Sequence, residues 1–193
     1  MFFAAGVAVA TQVDRHPSRW FGRHGPAQLS HLEPLGRYQV PNVLGLGLFS
    51  WGLVTGNGRW GSLGVSLVEA NLVTSFSVSA LQQATGRARP GEPWAGSFGR
   101  GGSSFPSAHA ARAFAVAGVA WAFFPEFKQR WVFPLLASGV ALSRVKERKH
   151  FFADVIMGAG LGWWVGHRLG ASALRHGRWE VSVTAAGLRL RGP

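Results

Sequence analysis

Apolar runs alternate with short polar, glycine- or proline-bearing breaks along most of the chain. The runs cover residues 1–13, 38–58, 113–125, 131–143 and 155–166. Only 38–58 exceeds 18 residues without Asp, Glu, Lys or Arg, and Asn42, Gly45, Gly47 and Gly52 interrupt it. The others are long enough for a bundle helix and short for an independent membrane span. This pattern predicts helices over 1–13, 40–55, 61–85, 107–124, 130–145 and 150–171. Proline and glycine mark loops at 17–41, 56–58, 86–102 and around Pro125. The tail from Arg178 to Arg191 alternates in Trp179, Val181 and Val183, then in Leu188 and Leu190, which predicts a short hairpin. The expected fold is therefore all-α: a compact, membrane-embedded bundle of about six helices with a hairpin-like tail over 172–193.

Two details qualify this outline. Residues 1–10 resemble the apolar core of a signal peptide ending in Ala-Val-Ala, but no basic leader precedes Phe2-Phe3, so a short first helix is an equal reading. Glu69 interrupts the otherwise uncharged stretch 61–86, and an acid at that depth is expected to face the bundle interior and find a basic or hydroxyl partner with a structural role.

Composition strengthens the membrane reading. A chain of 193 residues fits one domain, here 1–193, and it is 47% hydrophobic, with 27 glycines and nine tryptophans against one tyrosine. Cysteine is absent, so there is neither a disulfide frame nor a thiolate metal site. The formal charge of +12 arises from 20 basic residues, 17 of them arginine, against eight acids. Arginine's planar fork suits oxyanions, which makes phosphate, anionic lipid and nucleic acid the partner classes to weigh. The aromatics lie within apolar runs and do not alternate with basic residues, which argues against nucleic acid. Both ends of an up-and-down bundle would be basic, so loop charge does not set the orientation.

The same layout brings four helix termini to one end of the bundle. Arg89, Ser107, His109, Arg144, His150 and Asp154 are thereby expected to converge. That is a parts list for phosphoryl transfer, which needs fixed positive groups, a nucleophile and a proton for the leaving oxygen. Arg89 and Arg144 each offer two parallel donors. Ser107 is placed as an N-cap, with anion-binding amides behind it. His150 and Asp154 are four apart and share one helix face, so Asp154 would orient His150 as nucleophile. His109 would protonate the departing alkoxide and then activate water. Two histidines and an aspartate also suggest a metal site. Arg144, Lys146, Arg148 and Lys149 crowd His150, however, with only Asp154 and Glu92 to offset a dication, and such a field favours an anion.

These residues resemble the signature of the type 2 phosphatidic acid phosphatase family, which shares its active site with vanadium-dependent haloperoxidases. The signature runs lysine, six residues, Arg-Pro; then Pro-Ser-Gly-His; then Ser-Arg, five residues, His, three residues, Asp. The last block matches fully over 143–154, and Ala108 replaces the usual glycine of the second. In the first block Gln82 stands at the lysine position, and Arg87 is expected to supply the missing charge from the next turn. The similarity spans 82–170. It implies that Gln82, Arg89, Ser107, Ala108 and Arg144 bind the phosphate, while His150, His109 and Asp154 carry catalysis through a phosphohistidine with no metal or other cofactor. The implied substrate is a lipid phosphate or diphosphate, met at one face of a multi-pass membrane protein of a bacterial cell envelope. A vanadate-dependent haloperoxidase and a non-enzymatic basic module that binds anionic lipid are the alternatives. Oligomeric state is left open. Beyond the signature, Gly158, Gly162, Gly166 and Gly170 continue the ridge from His150 and Asp154, which predicts close packing of this helix on a neighbour.

Overall fold

The computed structural model describes residues 14–176 and the backbone of two strands at 180–184 and 187–191. The helix expected over 1–13 lies outside the described residues. Among the described residues there are six α-helices in order: α1 (Arg15–His24), α2 (Gln39–Thr55), α3 (Gly58–Thr85), α4 (Ala108–Phe123), α5 (Val132–Lys146) and α6 (Phe152–His176). A 3-10 segment, Ala27–Gly36, joins α1 to α2. The strands β1 (Glu180–Thr184) and β2 (Gly187–Arg191) pair antiparallel, with Val181 opposite Leu190 and Val183 opposite Leu188, as the alternation in the tail predicts.

The loop expected over 17–41 is instead α1 and the 3-10 segment. Pro17 and Pro41 occupy the first turns of α1 and α2, where backbone N–H groups have no intrahelical acceptor and proline costs nothing. Reading these prolines as loop markers missed that positional tolerance.

At the α2–α3 turn, Gly56 adopts a left-handed φ of 66° and Asn57 caps α3 by accepting from the Arg59 amide at 3.1 Å. The two helices then cross on glycine: a Cβ on Gly64 would collide with the Gly45 carbonyl and lie 2.5 Å from the Phe49 nitrogen.

Helix α4 is the centre of the bundle. Ala110, Ala111, Ala115, Val119 and Phe123 are at most 1% exposed, because α3, α5 and α6 surround the helix. Leu63, Leu67, Val119, Phe123 and Val165 form a core between α3, α4 and α6. Ala110, Ala141, Val145 and Val155 form a second where α5 joins, covered by Phe21 of α1.

The glycine ridge packs as its spacing predicts. A Cβ on Gly158 would lie 2.5 Å from the Ser107 carbonyl, and on Gly162 and Gly166 it would overlap the carbonyls of Ala111 and Ala115. Helices α4 and α6 therefore meet backbone to backbone.

The outer surface is apolar to a degree unusual for a water-facing bundle. Val54 is 82% exposed and Phe76 78%, and Val43, Leu46, Trp51, Leu135, Ile156 and Trp164 also face outward. Helix α3, at 28 residues, extends about 42 Å at 1.5 Å per residue and is the one described helix long and apolar enough to cross a membrane. The run 38–58 yields only the 17-residue α2, while α3 qualifies despite half-buried Glu69.

Gly162→Leu should prevent α4 and α6 from closing and abolish cooperative thermal unfolding. Gly160→Ala, on the open face of α6 with nothing within 4 Å, should stabilise by about 0.5–1 kcal/mol. Thermal melts of the purified variants check both.

Candidate active site

Three junctions build the site: the 86–107 loop after α3, the first turn of α4, and the tight link from α5 to α6. The loop leaves α3 at Gly86, with φ 53°, and is pinned by Ser104 N–H to the Arg87 carbonyl at 2.9 Å and by Ser107 N–H to the Asp154 carbonyl at 2.9 Å. At the third junction Arg148 takes φ 56°, and the amides of Lys149 and His150 both donate to the Arg144 carbonyl at 3.0 and 3.3 Å. Helix α6 consequently begins at Phe152, and His150 sits in the turn before it. The expectation that His150 and Asp154 share a helical face is corrected accordingly.

Arg87 is buried at the heart of these junctions. Its Nη1 donates to Asp154 Oδ1, its Nη2 lies 3.7 Å from Asp14 Oδ1, and its Nε donates to the Gly96 carbonyl at 3.2 Å. The guanidinium also stacks over Phe151, 4.4 Å from the ring centre. The sequence predicts that Arg87 compensates for the lysine absent at position 82, and the structure corrects this. With its donors committed to two carboxylates and a carbonyl, and no solvent exposure, it has nothing left to offer a phosphate.

Asp154 is equally committed. Its Oδ2 accepts from Ser104 Oγ at 2.5 Å and from the Phe151 amide at 2.9 Å. It stands 3.6 Å from His150 Nδ1, an ion-pair distance and not a hydrogen bond. The partner of His150 Nδ1 is the Ser104 carbonyl at 2.8 Å. A carbonyl can only accept, so neutral His150 carries its proton on Nδ1 and keeps Nε2 as a free lone pair. Asp154 thus orients His150 at one remove, by holding Ser104 and the head of α6.

The remaining expected residues fall around the same segment. Arg89 Nη2 donates to Ser103 Oγ at 3.1 Å, and Gln82 Nε2 donates to the Pro106 carbonyl at 2.9 Å. Gln82 and Ser103 also line an open cleft of about 410 Å³. Arg144 donates through Nη1 to Glu147 at 3.0 Å, and His109 Nε2 lies 3.0 Å from Glu33 Oε1. Burial, with the guanidiniums of Arg144 and Arg112, pushes His109 down to about 4, against a smaller upward pull from Glu33.

Two helix N-termini point into this end of the bundle, and they are treated differently. Phe151 N–H goes to Asp154, Phe152 N–H to Ser18 Oγ at 3.0 Å, and Ala153 N–H to Asp14 Oδ2 at 2.7 Å, so α6 is capped, in part by α1. At α4 the expected cap residue, Ser107, makes no side-chain cap bond, and its Oγ is buried with no partner. Among the described residues no acceptor meets the amides of Ala108, His109 and Ala110. Arg89 Nε and Arg144 Nε are also buried donors without partners. The site holds a surplus of donors suited to an oxyanion.

The sequence reading missed Asp14, Glu33 and Ser104. With eight acids among 20 basic residues, each acid is a candidate partner for a buried arginine, and that scarcity was the available signal for the first two. Among the described residues no group of three or more His, Cys, Asp or Glu side chains is arranged to hold a metal ion.

The family model of the PAP2 superfamily matches residues 62–172, more than half of the chain. The protein belongs to the PAP2 superfamily. This is a family of phosphatases, so phosphoester hydrolysis is the general activity that membership carries, and its members are often associated with membranes. No curated protein and no solved structure matches the chain.

The Arg87–Asp154 pair sets a measurable stability difference. Arg87→Ala leaves Asp154 buried without its cation and should destabilise the PAP2 protein by about 3–5 kcal/mol, read by chemical denaturation. Arg89→Ala, which leaves the buried pair intact, should cost far less stability.

Proposed function

We propose that this PAP2 protein is a metal-independent phosphatase that hydrolyses a lipid phosphate or diphosphate through a phosphohistidine at His150. The observation that carries the reading is the uncapped start of α4 beside the unpartnered donors of Ser107, Arg89 and Arg144. Buried donors without acceptors are costly in a folded protein, and a bound phosphate would satisfy them.

In the first half-reaction His150 Nε2 attacks phosphorus, and the bond from phosphorus to the ester oxygen breaks. The equatorial oxygens take hydrogen bonds from Arg89, Arg144 and the first amides of α4. His109 passes a proton to the departing alkoxide. A bound dianion offsets the field of Arg144 and Arg112, which raises the proton affinity of the imidazole as that proton is needed. In the second half-reaction His109 takes a proton from water, which attacks the phosphohistidine and returns His150 and inorganic phosphate.

Gln82 lies where the family signature has lysine, and its amide binds the Pro106 carbonyl without adding charge. Phosphate capture therefore rests on Arg89, Arg144 and the helix amides. The outward-facing aromatic and aliphatic side chains, with α3 as candidate span, support a membrane setting and an apolar substrate. The groove lined by Leu35, Leu44, Val116, Phe133 and Val140, about 200 Å³, is a place for part of an acyl chain.

Purified protein in detergent should release phosphate from lipid monophosphates in the presence of chelator. His150→Ala should abolish both release and acid-labile phosphoenzyme, and His109→Ala should slow release by about 10²–10⁴-fold. Undiminished turnover in His150→Ala would refute the nucleophile assignment. Gln82→Lys should lower KM, since a charge-assisted hydrogen bond is worth about 1.5–3 kcal/mol; absence of turnover in both forms would favour a lipid-binding module.

A further inference from the structure

Among the described residues Glu33 is the one carboxylate in direct contact with a proposed proton-transfer group, and nothing in the family signature includes it. It lies in the 3-10 segment, far in sequence from the signature residues, yet its Oε1 is 3.0 Å from His109 Nε2 and 3.6 Å from Arg144 Nη1. Its Oε2 accepts from Arg37 Nη2 at 3.1 Å. Burial alone would raise the Glu33 carboxyl, but Arg37, His109 and Arg144 outweigh it and hold the group below the usual carboxylate range. Glu33 is therefore an anion, and an anion only accepts.

The segment that carries Glu33 is anchored against the same helices. Arg112 Nε donates to the Gly36 carbonyl at 3.0 Å, and Leu32 packs so close to α5 that a Cβ on Gly139 would lie 2.5 Å from its Cδ1. Gly36 itself lies against the His109 side chain: a Cβ there would lie 2.9 Å from His109 Cβ and 3.0 Å from Cδ2. One edge of the imidazole is thus pressed by backbone, and Nε2 is held by a carboxylate. Nδ1 has no protein partner among the described residues.

We propose that Glu33 is the positioning residue of His109: its carboxylate fixes the Nε2–H tautomer and the ring orientation, so that Nδ1 exchanges the proton with leaving group and water. This rests on the reading of His109 as the acid and base of a phosphatase. In the transfer, the imidazolium Nδ1–H bond breaks as the alkoxide O–H bond forms, and the Nε2–H bond to Glu33 stays in place throughout. The charged groups acting on the ring are Glu33 and, through it, Arg37 from the N-terminal side, Arg112 from α4 and Arg144 from α5.

The experiment compares the wild type with Glu33→Gln in the full-length protein in detergent, by two readouts. The first is ¹⁵N-histidine NMR, with the His109 signals assigned by His109→Gln. The wild type should show Nε2–H in neutral His109; Glu33→Gln should lose that preference, and its His109 titration should move to lower pH, because the carboxylate favours the protonated ring. The second is the leaving group. Glu33→Gln should lose part of the about 10²–10⁴-fold that general acid catalysis contributes, read as kcat on a long-chain alkyl monophosphate, whose alkoxide needs a proton. It should lose little on p-nitrophenyl phosphate, whose leaving group does not. An unchanged tautomer and titration would overturn the proposal, as would equal losses on both substrates. Faster turnover with lower KM in Glu33→Gln would also overturn it, since the carboxylate would then compete with phosphate for Arg144. If neither protein turns over either substrate while the NMR changes appear, the phosphatase reading fails and the Glu33–His109 coupling is supported.

Discussion

A single buried guanidinium fixes the geometry of this site. Arg87 joins the loop after α3 to Asp154 at the head of α6 and to Asp14 before α1, with no exposure to solvent. Taking these charges out of water is expensive, and the arrangement is tolerable only because nearly every lone pair and N–H has a partner. Asp154 satisfies Arg87, Ser104 and the Phe151 amide at once. The 103–107 segment is therefore held at both ends, and His150, Gln82 and Arg89 all take their positions from it. The charge that looked available to substrate is what builds the site.

This division of labour explains a puzzle of composition. A chain with 20 basic residues and eight acids could scatter its arginines over the surface or gather them at one anion. It does neither uniformly. Arg87 is fully neutralised inside the fold, Arg59 ties α3 to Glu126 and to the Phe123 carbonyl at the far end of α4, and Arg89 and Arg144 keep donors in reserve beside α4. Acids neutralise the buried Arg87, while at Arg144 Glu33 and Glu147 engage Nη1 and leave Nε without a partner.

Much of this was legible in the chain. The fixed spacing of Ser143, Arg144, His150 and Asp154 identified the junction between α5 and α6, and glycines four apart marked the face of α6 that packs closely on a neighbour, though not that the neighbour is α4. Spacing within one helix is a local quantity, and periodicity reports it directly. The partner of Arg87 was not legible, because Asp154 lies 67 residues away and only the folded loop brings them together. Nor was the hydrogen bond from His150 to a backbone carbonyl, since every residue has one and sequence does not mark which is used. The 17–41 region reads as loop from its prolines, yet Pro17 and Pro41 fall in first turns, where they are compatible with helix, and Pro26 and Pro34 border and enter the 3-10 segment. With that region went Glu33, and Asp14 fell in the gap before it, so the helical pattern had no reason to place either acid.

The backbone contact between α4 and α6 has a further consequence for how such a protein can vary. Helices that touch through glycine and alanine have no side chains to repack, so the relative placement of His109 and Asp154 is set by main chain and tolerates no gradual adjustment. Change is confined to the opposite wall, where the 3-10 segment, α2 and α5 meet through ordinary side chains such as Leu35, Leu44 and Val140. The two walls meet at His109, which the 3-10 segment touches through Glu33 and Gly36. One wall is fixed by main chain, while the other is built of side chains that can be exchanged for others of similar volume.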